Sequence, residues 1–161
     1  PERGGDTLFA SLSAAYESLS SPMQAFLSGL TAIHDCRFGF KESLAEPGGE
    51  ERLSQMVADN PPVEHPVVVT HPESGAKGLY VNALFTQRIK GFTPREIQEL
   101  LAFLYDHIVL PEHTCRFSWE PHSVAFWDNR ITQHKPVNDY WPAHRKMQRI
   151  TVDNGVRPKN E

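Results

Sequence analysis

The chain has 161 residues, 22% of them charged and 39% hydrophobic, with a net charge of −4. That is enough chain for one domain with a real core. The acidic balance without a Lys/Arg run excludes a nucleic-acid or anionic-membrane footprint, and no apolar stretch is long enough to span a bilayer. Two cysteines, Cys36 and Cys115, are too few for a disulfide framework and lack metal-binding spacing. With no charged-then-apolar export signal at the start, this favours the cytoplasm.

Residues Gly4-Gly5-Asp6-Thr7 read as a turn into a helix, because Leu8, Leu12, Ala15, Tyr16 and Leu19 recur at helical spacing. Ser20 and Ser21 interrupt the pattern. Ser21-Pro22-Met23-Gln24 then opens a second helix, with Ser as cap and Pro in the first turn. His34-Asp35 reads as a helix end; neighbouring side chains diverge on a helix or a strand, so the two do not readily share one ion. Residues 46–62 are loop-rich, with a short helix around residues 51–57.

A β-branched strand follows around Val67-Val68-Val69, then a turn and a second strand from Gly78 to Asn82. Thr93-Pro94-Arg95-Glu96 is a capping box, and Ile97, Leu100, Leu101, Leu104 and Ile108 form the buried stripe of the helix it starts. Residues 114–119 alternate as a strand, with Cys115, Phe117 and Trp119 on one face. Residues 123–127 form another, and Asp128-Asn129-Arg130 turns the chain toward His134. A final strand over residues 145–152 points Arg145, Met147 and Arg149 to one side. The tail from Gly155, residues 155–161, is polar and expected to fray. Short strands joined by tight turns, with flanking helices, predict a mainly β single domain built as a double-stranded β-helix, the jelly roll.

Chemistry concentrates in residues 123–152. A neutral imidazole is a common iron or zinc ligand, and a guanidinium grips carboxylate or sulfonate through paired hydrogen bonds. His134, with Arg145 and Arg149 eleven and fifteen residues later, therefore suggests a metal site fed by small anions. Residue types alone also suit a surface histidine and two solvated arginines.

The order of the pieces carries more. WDNR (Trp127 to Arg130), TQH ending at His134, DY (Asp139-Tyr140) and the pair Arg145 and Arg149 resemble the C-terminal motif of the taurine dioxygenase family. These are iron(II)- and 2-oxoglutarate-dependent oxygenases that include alkylsulfatases. GGDTLFASLSAAYESL resembles the family's segment as well, and the likeness runs from about Gly4 to Pro158.

The resemblance implies that His134 is the distal iron ligand. It also implies that Arg145 and Thr7 bind the far carboxylate of 2-oxoglutarate, and that Arg149 binds the near carboxylate and the substrate anion. Phe40 and Phe85 match aromatic residues of the family's substrate pocket, and residues 46–62 match a lid. No residue is assigned as a general acid or base. The substrate would be a sulfonate or sulfate ester, hydroxylated by O2 at the carbon next to the heteroatom. Aldehyde and sulfite or sulfate would leave, with succinate and CO2.

The family's other two iron ligands, a His-x-Asp pair upstream of GGDT, are absent. The chain is therefore expected to be an N-terminally incomplete jelly roll, inactive by itself, from a protein that forms homo-oligomers when full length. His71-x-Glu73 has similar spacing, but HPE-x-G followed by LYVN matches a family strand-turn-strand that carries no ligand. The alternative function is an iron-free anion-binding β-helix module or an inactive fragment of the family.

Overall fold

The structure, a computed structural model, describes residues 3–152 and 155–159. In chain order its elements are β1 (Thr7–Ser11), α1 (Leu12–Glu17), α2 (Ser21–Leu27), β2 (Thr31–His34), α3 (Cys36–Gly39), α4 (Lys41–Ala45) and α5 (Gly49–Asp59). Then come β3 (Val63–Pro66), β4 (Val68–Thr70), β5 (Lys77–Leu79), β6 (Thr86–Ile89), α6 (Pro94–Ile108), β7 (Thr114–Phe117) and β8 (Thr132–Pro136). Among the described residues, no helix is long and apolar enough to cross a membrane.

The strands form three small antiparallel groups: β7-β1-β8, β3-β2-β6 and the hairpin β4-β5. β1 is the centre of the first, pairing Phe9 with Cys115 on one side and with His134 on the other. Here the structure corrects the expectation of helix from Leu8. Residues 7–11 contain β-prone Thr and Phe, and two strands far away in sequence offer ladders on both edges, so pairing overrides the helical spacing. The helix begins one turn later, with the Ser11 side chain accepting from Ala14 N.

Other boundaries shift for local reasons. The second helix is capped at Ser20, with Pro22 in its first turn. His34 closes β2 instead of ending a helix, and Asp35 caps α3 by accepting from Arg37 N. The loop-rich segment holds one helix, α5, longer than the short one expected, and α4 lies just before it. α6 has its capping box, with Thr93 N donating to Glu96 Oε2 at 2.8 Å, and it buries Leu101, Leu104 and Ile108.

Two expected strands are absent. Residues 123–127 and 145–152 carry no regular secondary structure, and Phe126 and Ile150 are 96% and 92% exposed. A strand needs a neighbour to satisfy its backbone N–H and C=O groups. Among the described strands none pairs with either segment. Arg145, Met147 and Arg149 thus do not share a strand face.

The core joins α1, α2 and α6 to the β4-β5 hairpin through Leu12, Leu27, Val68, Leu79, Leu104 and Ile108. α1 lies so close to β5 that a Cβ at Gly78 would sit 3.2 Å from Leu12 Cβ and collide with Ile131. Leu12 N donates to Ile131 O at 3.0 Å, which ties this packing to the turn before β8. Ser18 Oγ lies 3.0 Å from His107 Nε2 and 2.9 Å from His113 Nε2, fastening α1 to α6. In the stretch expected to fray, Lys159 O accepts from Thr70 N at 2.8 Å.

Candidate functional site

His134 lies in the middle of β8, opposite Phe9. Its residue surface is exposed, but its ring is flanked by Trp127, centroids 5.0 Å apart, and by Phe9 at 6.2 Å. This partial burial, and then the positive charge of Arg149, lower its pKa below the ordinary histidine value. At neutral pH the imidazole is uncharged, the form that offers a lone pair to a metal.

The WDNR turn positions Trp127. Asp128 accepts from Arg130 Nε at 2.9 Å and lies 3.0 Å from His71 Nε2, and Arg130 Nη1 reaches Glu73 Oε1 at 2.9 Å. The hydrogen bonds from Arg130, with help from His71, hold the Asp128 carboxyl well below the usual range. His71 Nδ1 accepts from Ser74 N at 3.1 Å. Both His71 nitrogens are therefore engaged, and His71 and Glu73 belong to a structural ion cluster that pins the hairpin to this turn.

Thr7 is buried at the start of β1, where its Oγ1 accepts from Trp119 Nε1 at 2.9 Å. The hydroxyl proton is left to donate elsewhere. Arg145 Nε donates to Gly5 O at 2.9 Å, and its guanidinium lies 6.0 Å from the Tyr140 ring centroid. Gly5 has φ +75°, and a Cβ there would come 2.9 Å from Arg145 Cδ. Glycine at this position allows both the turn and the approach. Asp139 completes the arrangement: Gly5 N donates to its Oδ1 at 2.7 Å, and Arg116 bridges Asp6 and Asp139. The Gly4-to-Thr7 segment and the DY pair are thus built against each other, with Arg145 held between them.

Phe40 and Phe85 come together elsewhere, their ring centroids 6.2 Å apart. They line a cavity of about 630 Å³ with Met56 and Asp59 of α5 and with His34 and His65. Thr7, His134, Arg145 and Arg149 are not among its lining residues. The expected site residues therefore fall into two sets: Thr7 and His134 on the β1-β8 pair with Arg145 and Arg149 outside the strands, and Phe40 and Phe85 at this cavity.

The cavity also holds His34, read from the sequence as a helix end, and His65, which sequence reading did not single out. His34 stacks on Tyr80, centroids 5.6 Å apart and planes 7° apart, and lies 5.1 Å from His65. Burial, and then the neighbouring His65, push the His34 pKa down to about 4. Burial and the Arg157 charge lower that of His65. Single histidines in a strand-like sequence give no hint of this pairing, which arises because β2 and β3 set His34 and His65 on adjacent strands.

Among the described residues, no three or more His, Cys, Asp or Glu side chains converge to hold a metal ion. His134 belongs to no such group, so an iron ion does not fit the described residues by themselves. The 2-oxoglutarate anion fits better: a buried hydroxyl and a guanidinium stand on adjoining segments.

His134 thus sits on the β1-β8 pair with the charge of Arg149 acting on it, while Arg145 is held against the Gly4-to-Thr7 segment from outside the strands. Comparison with known proteins gives the family. Residues 1–151 match the family described as "Taurine catabolism dioxygenase TauD, TfdA family", and the chain belongs to that family.

It is 40% identical over 159 residues to an alkylsulfatase of Acinetobacter baylyi, covering 97% of this chain and 50% of that protein. It is 37% identical to an alpha-ketoglutarate-dependent sulfate ester dioxygenase of Pseudomonas putida, covering 97% and 52%. Among solved structures, a taurine dioxygenase from Burkholderia xenovorans superposes with a TM-score of 0.70 at 41% identity, over 86% of this chain and 44% of that one. AAD-2, solved with Mn(II) and N-oxalylglycine, gives 0.75 at 31% identity, over 90% and 56%. The fold is thus of the jelly-roll class. The chain spans about half the length of the curated relatives it matches.

Proposed function

We propose that this chain is part of an iron(II)- and 2-oxoglutarate-dependent dioxygenase acting on a sulfonate or sulfate ester. The net reaction consumes O2 and 2-oxoglutarate and hydroxylates the carbon next to the heteroatom. The product collapses to an aldehyde with loss of sulfite or sulfate, alongside succinate and CO2. The observation that carries the reading is the assembly around β1 and β8: a neutral His134 under the charge of Arg149, with Arg145 against the segment that bears Thr7.

In this reading the cofactors supply the oxidising chemistry, and the chain supplies orientation and charge. Arg145 grips the far carboxylate of 2-oxoglutarate with the guanidinium nitrogens not used on Gly5, and Thr7 donates its hydroxyl proton to the same group. Arg149 serves the near carboxylate and the substrate anion. Phe40 and Phe85 enclose the substrate and exclude water. His134 supplies one metal ligand, and two more come from outside this chain. The whole domain is single and, when full length, homo-oligomeric.

One observation favours a second reading, an iron-free anion-binding module: no three-ligand group exists among the described residues. Anaerobic titration with iron(II) and 2-oxoglutarate separates the two. The chain alone is expected to give no visible charge-transfer band. A longer gene product carrying the upstream residues is expected to give a saturable one, lost in His134→Ala. A band from the chain alone would show that its ligand set is complete. No band from the longer product would overturn the oxygenase reading.

A further inference from the structure

Arg157 lies beyond the family match over residues 1–151, on the short terminal stretch that Thr70 N fastens beside β4 through Lys159 O. It lines the same cavity as Phe40 and Phe85. The side chain is exposed and makes no ion pair among the described residues. Of the other polar groups in the wall, Asp35 accepts from Arg37 N and Gln87 Nε2, and Asp59 accepts from Gln55 Nε2.

His34 and His65 both have lowered pKa values and are uncharged at neutral pH. Arg157 is therefore the cation among the described lining residues at that pH. The lining also includes Phe40, Phe85 and Met56, apolar side chains beside which a charge–charge attraction is less screened than in water. A guanidinium also offers a planar fork of donors that matches sulfate, sulfonate or carboxylate. The volume, about 630 Å³, suits a small organic molecule with a hydrocarbon body.

We propose that Arg157 is a specificity-determining residue of this cavity, holding the anionic head of the substrate while Phe40 and Phe85 enclose its hydrocarbon body. This rests on reading the cavity as the substrate pocket. It adds an anion contact that the motif order assigned to Arg149 alone, and Arg149 does not line the cavity.

The test is calorimetric titration of the chain, without iron, with hexyl sulfate, hexanesulfonate, hexanoate and the neutral 1-hexanol. Arg157→Gln is expected to weaken the three anions at least tenfold and leave hexanol unchanged, with Arg157→Lys intermediate because it keeps the charge and loses the fork. Phe85→Ala is expected to weaken all four. Hexanol binding and an unchanged melting temperature in Arg157→Gln exclude misfolding as the cause. If Arg157→Gln binds the anions like the parent while Phe85→Ala does not, the cavity stands and the role of Arg157 falls. If Phe85→Ala changes nothing, or the parent binds none of the four, the pocket reading and the proposal fall together.

Discussion

His34 is a buried histidine kept neutral by its surroundings, and its consequence is a pH dependence of stability. Its pKa falls from 6.5 to about 4 on folding, so between these values the unfolded chain binds more protons. Stability from keeping His34 neutral is present above pH 6.5 and is lost as pH falls toward 4. For this residue alone the loss between pH 7.5 and pH 5 is about 2 kcal/mol. Urea unfolding at the two pH values should show a drop of this order, with His65 and His134 contributing in the same direction. His34→Gln should make the dependence shallower. An unchanged slope would mean that His34 is not buried as a neutral ring. The sequence shows that His34 ends a short apolar run, but the residues that desolvate it, Tyr80 and His65, arrive from other strands.

Elements with complete local signals form as their residues predict. In α6 the Thr93 hydroxyl accepts from Glu96 N and the Glu96 carboxylate returns to Thr93 N, which satisfies two of the donors that every helix start leaves open. Thr93→Ala should cost about 1 kcal/mol in a denaturation experiment, most of it recovered by Thr93→Ser. Strands fare differently, because a strand is defined by its neighbour. The Leu8 to Leu19 spacing suits a helix, yet residues 7–11 pair with two strands more than a hundred residues away. The alternating residues 145–152 suit a strand, yet no described strand lies beside them. In both cases the presence or absence of a long-range partner overrides the local pattern.

Across the whole molecule, the fold depends on contacts that cross between its sheets. Leu12 is 2% exposed, packs over Gly78 and donates its backbone N–H to Ile131. Leu12→Ala should destabilise by about 2–5 kcal/mol, measured by urea unfolding. It should also disturb His134, since Ile131 leads directly into β8. The sequence by itself determined the family, through WDNR, TQH, DY and the arginine pair, because those side chains carry binding chemistry at fixed spacing. It determined the well-capped helix for the same reason: the information is local. Tertiary structure alone decided that β1 is a strand, that His71 and Glu73 are tied to Asp128 and Arg130, that His34 is neutral beside His65, and that Arg157 faces the cavity of Phe40 and Phe85. Each of these depends on residues far apart in the chain being brought together. A ladder partner, a desolvating ring or an opposing charge exists only once the chain has folded.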